Sequence, residues 1–143
     1  MKNEESVRAS SRRLLQSKLI AAAAKVRNSA VAPYSKCKVG AALLTKSEEI
    51  VTGANVESAS YGLTCCAERV ALFKALTTGK RDLIAVAVVA QTKGGPMPCG
   101  ACRQLLAEYA PKAEVFVADS RRLDRVRKFS IRELLPEAFL DVP

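Results

Sequence analysis

The chain contains no histidine. That absence excludes a Ser-His-Asp triad, a Cys-His nucleophile pair and every imidazole metal ligand. Acid–base work must fall to carboxylates, lysine, tyrosine or a water held by a metal ion. Tryptophan is also absent, and aromatic residues make up only 5% of the chain. A surface that stacks nucleobases along a strand is therefore not encoded. No apolar run approaches the roughly 18 residues of a membrane span; the longest, Leu83 to Ala90, is strand-sized. The segment Met1 to Arg13 is polar and lacks the apolar stretch of a signal peptide, so the expectation is a cytoplasmic protein. Disulfides do not fit either. Five cysteines is an odd number, and Cys65 and Cys66 are adjacent, whereas secreted frameworks show even counts at open spacings. In a reducing compartment clustered cysteines more often bind metal or do redox chemistry.

What is present suits a globular enzyme. The 143 residues match one domain with one core, with 49% apolar and 26% charged content. Residues 1–10 read as a frayed arm. Lys plus Arg is 23 against 14 Asp plus Glu, a formal charge of +9. One dense stretch, Arg121, Arg122, Arg125, Arg127, Lys128 and Arg132, is open to two readings: a phosphate-binding strip, or a solvated face or subunit contact. The lack of interleaved aromatics favours the second, so nucleic acid is not the expected partner.

Periodicity gives the element order. Leu15, Leu19, Ala22 and Val26 recur at helical spacing and predict an amphipathic helix over Ser11–Ser29, ending before Pro33. Val39–Thr45 and Ile50–Ala54 predict a hairpin around the polar Lys46–Glu49. Cys66–Thr77 predicts a helix capped by Gly79. Leu83–Ala90 predicts a strand buried on both faces. Gly100–Ala110 predicts a third helix, stopped by Pro111. Glu114–Ala118 predicts a strand, Val126–Phe129 a weak strand and Ile131–Leu135 a helical turn. A hairpin followed by βαβ units implies a mixed sheet with helices on its faces, a three-layer α/β/α arrangement.

Three cysteines fall at predicted helix starts: Cys66 at the second helix, Cys99 and Cys102 at the third. Helix N-termini carry partial positive charge and free N–H groups, which favour the thiolate, the metal-binding form. Three protein ligands with one open position is the pattern of a catalytic zinc. Cys65 as a fourth ligand competes with Cys65 as a small buried residue. Adjacent residues at a helix start rarely reach one ion, which favours burial. Glu68, two residues after Cys66, can reach a water at the ion without ligating it. Arg69 follows, and donation from it to the sulfurs would offset their excess charge. Cys-Ala-Glu at one helix start, with Pro-Cys-x-x-Cys about thirty residues later, matches the zinc deaminase pattern with Cys in place of His. A redox dithiol at Cys99 and Cys102 is the rival reading, but it has no need of Cys66 and Glu68.

At this point the sequence resembles the small homotetrameric zinc-dependent cytidine deaminases. The resemblance runs from Ala32-Pro33-Tyr34-Ser35 to Leu134-Leu135-Pro136-Glu137-Ala138-Phe139. Between these lie Val39-Gly40-Ala41-Ala42-Leu43, Asn55-Val56-Glu57, Ala59-Ser60-Tyr61, Cys66-Ala67-Glu68-Arg69 and Pro98-Cys99-Gly100-Ala101-Cys102-Arg103-Gln104. The resemblance implies a cytidine deaminase-like α/β/α domain. It implies Zn²⁺ held by Cys66, Cys99 and Cys102, with Glu68 as proton shuttle and Arg69 tempering the thiolates. It also implies ribose recognition by Asn55 and Glu57 and a pyrimidine rim at the Ala67 backbone. Ala59, Tyr61 and Phe139 would be lent to a neighbouring subunit's site, hence a tetramer. The expected activity is hydrolytic deamination of cytidine or deoxycytidine in pyrimidine salvage. One position departs: Cys37 stands where the family carries an aromatic that packs on the base. That departure keeps open another aminopyrimidine nucleoside, such as blasticidin S or a modified cytidine, and Cys37 as an extra ligand.

Overall fold

The computed structural model describes residues 2–142 of the chain, apart from the side chain of residue 2. The order is α1 (Lys2–Val26), β1 (Val39–Thr45), β2 (Ile50–Ala54), α2 (Ala67–Thr77), β3 (Leu83–Ala90), α3 (Gly100–Tyr109), β4 (Glu114–Asp119), β5 (Val126–Ser130) and α4 (Ile131–Leu134). Short 3₁₀ turns cover Arg27–Ser29 and Tyr61–Leu63.

The five strands form one sheet in the order β2-β1-β3-β4-β5. Among the described residues only strands β3 and β4 pair in parallel, across α3; the other neighbouring strands are antiparallel. The period of two in a strand divides the core. Ala42, Leu44, Ala85, Ala87 and Val89 face α1, where Leu19, Ile20 and Ala23 meet them. Ala41, Leu43, Val86, Val88, Val115 and Val117 face the opposite layer, filled by α2, α3 and α4. This is the expected α/β/α architecture with a mixed sheet. β3 is buried along its length except at Ile84, because α1 and the α2–α3 layer cover both faces.

Two features differ from the sequence reading. The helix is continuous from Lys2, so the described part of the segment expected as a frayed arm is helical; Met1 lies outside the described residues. Residues 3–14 are nevertheless exposed all round. The buried stripe runs through Leu19, Ile20 and Ala23 rather than Ala22, which is only half-buried. The shift follows from the 3.6-residue turn, which keeps Leu19 and Ala23 in line. Among the described residues no helix is long and apolar enough to cross a membrane.

Two glycines let helices sit directly on the sheet. A Cβ at Gly40 would lie 1.9 Å from the Ala23 carbonyl oxygen, and one at Gly53 would lie 2.4 Å from the Ala71 backbone nitrogen. Gly53 therefore sets the height of α2 over β2, and with it the helix start that bears Cys66. Replacing Gly53 with alanine forces backbone to move, and overpacking of this kind costs about 1–3 kcal/mol. The expected outcome is a lower denaturation midpoint with unchanged slope in urea; an unshifted midpoint would show that α2 is free to lift.

Candidate metal centre and active site

Cys66 and Cys99 are the N-cap residues of α2 and α3, both in extended conformation. An N-cap side chain ordinarily accepts a hydrogen bond from the first turn. Neither thiol does so, which leaves both sulfurs free to point outward. Cys102 sits three residues into α3, on the same side as the cap, by the geometry that brings a capping box together. The Cys99–Cys102 sulfurs are 3.5 Å apart and the Cys66–Cys99 sulfurs 3.7 Å apart. All three lie within 4.8 Å of one another.

A tetrahedral zinc with Zn–S bonds of about 2.3 Å separates its sulfur vertices by about 3.8 Å. Spacing and donor chemistry both fit that ion, with one vertex left unfilled by protein. The cluster contains neither Cys37 nor Cys65. Cys65 is half-buried rather than buried, and its backbone pairs with Val56 in both directions. Burial pushes its thiol pKa up, away from the ligating form.

The protonation pattern matches a cluster of donors crowded together. Donation from Cys102 holds Cys66 as a thiolate, with its pKa brought down to about 5, and hydrogen bonds from Arg69 and Cys99 act the same way. Cys102 moves up, because its proton serves that bond to Cys66 and because it is buried. Arg69 donates to the Thr64 carbonyl at 2.9 Å and to the Cys66 sulfur at 3.7 Å. Its Nε is buried with no partner among the described residues, so the guanidinium holds donor capacity in reserve beside the sulfurs. Glu68, 6% exposed, is pushed up to about 7 chiefly by burial.

A cavity of about 200 Å³ opens onto this cluster, with Cys66, Ala67, Glu68 and Cys99 at one end and Ser35, Cys37, Asn55 and Glu57 among its other walls. Asn55 and Glu57 therefore reach the same cavity, as expected, but both already have partners. Asn55, 8% exposed, accepts from the Val39 N–H through Oδ1 at 2.8 Å and donates through Nδ2 to the Cys37 carbonyl at 2.8 Å. The Glu57 carboxylate accepts from the Ser35 N–H at 3.2 Å. Ala59, Tyr61 and Phe139 do not line the cavity; Tyr61 is 89% and Phe139 68% exposed.

Sequence reasoning missed Ser35, Thr64 and Met97 as site-forming residues. Thr64 closes the 58–64 loop by accepting from the Ser58 N–H, and it receives Arg69 on its carbonyl. Arg103 donates to the Pro98 and Leu134 carbonyls, and Gln104 to the Phe139 carbonyl, so the pair after Cys102 ties the ligand loop to the C-terminal segment. Half of the basic stretch is ion-paired, Arg121 with Asp119, Arg122 with Asp124 and Lys128 with Glu114, while Arg127 lies 5.0 Å over the Phe129 ring.

Comparison with known proteins follows the geometry. The family described as Cytidine and deoxycytidylate deaminase zinc-binding region matches residues 15–118. A cytidine deaminase from Halalkalibacterium halodurans is 51% identical over 121 residues, covering 85% of this chain and 91% of that protein. The crystal structure of a cytidine deaminase from Burkholderia pseudomallei superposes with a TM-score of 0.81 at 50% identity, over 85% of this chain and 97% of the other. A more distant relative, the Bacillus cereus blasticidin-S deaminase, is 32% identical over 71% of this chain and 76% of its own length.

Replacing Cys102 with alanine removes one of three ligands. The expected outcome by atomic absorption is loss of nearly all bound zinc, while Cys65→Ala and Cys37→Ala retain it. Zinc lost from the Cys65 variant would mean that the ligand set is wrong.

Proposed function

Because the chain belongs to the cytidine and deoxycytidylate deaminase family, we propose that it hydrolyses the exocyclic amine of cytidine or deoxycytidine, releasing ammonia and leaving the uridine product. The observation that carries this reading is a cluster of three sulfurs, two of which, Cys66 and Cys99, line a single cavity together with one buried carboxylate, Glu68. Zinc held by Cys66, Cys99 and Cys102 supplies a Lewis acid that makes water acidic enough to act as nucleophile near neutral pH.

The remaining work belongs to the chain. Glu68 takes the proton from the attacking water and delivers it to ring N3, then takes the proton of the new C4 hydroxyl and passes it to the departing amine. A C4–O bond forms, the C4–N bond breaks and ammonia leaves. Arg69 draws charge from the Cys66 sulfur, so the thiolates do not cancel the acidity required of the site. The Ala67 backbone forms part of the pyrimidine rim. Glu57 and the amide valences of Asn55 not used on the backbone receive the ribose hydroxyl, since an amide retains two further hydrogen-bonding positions after the two it has made.

Ala59, Tyr61 and Phe139 lie outside the cavity of their own chain, which supports a homotetramer in which each subunit lends them to a neighbour's site. The enzyme would then serve pyrimidine salvage in the cytoplasm. A second reading, another aminopyrimidine nucleoside, draws support from Cys37, whose small side chain lines the cavity where a ring-sized wall is expected.

Glu68→Gln keeps the shape and zinc but cannot move a proton, so ultraviolet-monitored deamination of cytidine and deoxycytidine is expected to fall by roughly 10²–10⁴-fold. Activity near that of the unaltered enzyme would remove Glu68 from the mechanism.

A further inference from the structure

A second cavity, of about 250 Å³, lies between α1 and the sheet, on the face opposite α2 and α3. It sits at the starts of β3 and β4, whereas Cys99 and Cys102 follow the far end of β3. Its floor is made by Leu19, Leu44, Ala85 and Phe116, all buried. Its rim carries Arg12, Lys112 and Glu114. An apolar concavity with a few charged groups at one side is the build of a small-ligand site.

One wall owes its place to an irregularity in β3. Leu44 pairs with Ala85 and Thr45 with Leu83, so Ile84 has no partner on β1. An extra residue of this kind re-aims a side chain. Strict alternation would send Ile84 and Ala85 to opposite faces of the sheet. Instead both line this cavity. Ile84 is 41% exposed there, the one residue of the central strand that is not buried. A ligand seated against it would remove that apolar surface from water.

The charge at the rim is positive. Glu114 accepts from Arg12, which comes from the exposed first half of α1, and pairs with Lys128 of β5 at 3.2 Å. With Lys112 beside them, three cations stand against one carboxylate. Arg12 can therefore pass to another anion without stranding Glu114, which keeps Lys128. The Arg12 side chain is 74% exposed and free to turn.

We propose that this cavity is a binding site for small ring-bearing carboxylates, separate from the metal centre. A cavity of about 150 Å³ lined by Leu, Ile and Phe is enough for benzene. This one has room for one or two rings, laid on Ile84 and Phe116. The carboxylate then meets Arg12 and Lys112, and a guanidinium receives a carboxylate through two parallel hydrogen bonds.

The test is calorimetric titration of the zinc-loaded protein with 1-naphthoate and with the uncharged 1-naphthamide. Naphthoate should bind once per chain, at least about fivefold more tightly than the amide. The double variant Arg12→Gln, Lys112→Gln should weaken naphthoate by at least about tenfold and leave the amide unmoved. Glu114→Gln, which releases Arg12, should tighten naphthoate by about two- to fivefold. Ile84→Ser should weaken both probes by about fivefold. Bound zinc should be equal in all these variants, which shows that the fold and the metal centre are intact. Three results each overturn the inference: no binding of naphthoate up to about 1 mM, no preference for it over the amide, or an affinity unmoved in the double variant. The last would place the anion elsewhere on a chain of charge +9.

Discussion

Three sulfurs held this close is the constraint on which the site depends. Thiolates at 3.5 to 3.7 Å repel one another strongly unless positive charge stands among them. The fold itself supplies part of that charge, from two sources. The helix N-termini of α2 and α3 carry partial positive charge beside the cluster, and the Arg69 guanidinium lies against Cys66. A bound divalent cation would supply the rest, and the sulfur spacing fits it. Glu68 must then lie close to this charge yet remain out of the coordination sphere. Its position in the first turn of α2, two residues beyond the ligand, achieves this.

The rest of the chain exists largely to hold those two helix starts in register. Gly53 brings α2 down onto β2, and the Val56–Cys65 backbone pair locks the residue before the first ligand. Arg103 fastens the Pro98 carbonyl beside the second. Asn55 works on the opposite wall, where its amide fastens the approach to β1. A substitution at any of these positions acts on chemistry it never touches, because near-attack geometry tolerates displacements of only about an ångström.

Much of this was legible in the sequence. β1, β2 and β3 form at the bounds that their short apolar runs predict, since each is bordered by polar or glycine-bearing turns. The three sulfurs were legible because helix-start spacing is local. What escaped depends on distant segments. The second role of Asn55 requires knowing that residues 37–39 pass beside it. The pairing of Lys128 with Glu114 requires the register of β4 against β5, which sets Lys128 opposite Phe116. The length of α1 also escaped, because residues 3–14 have no buried stripe for periodicity to reveal.

α2 rests on β1 and β2, whereas α3 packs mainly beside α4 and touches α2 only lightly. Ligands drawn from both would make a bound ion a rivet between two helices that otherwise touch only lightly. Occupancy and rigidity are then linked. A ligand that binds only the assembled form stabilises it in proportion to the logarithm of its concentration over Kd. Metal supply in the cell would set not only how many sites are competent but also how firmly the α2 and α3 ends of each domain are joined.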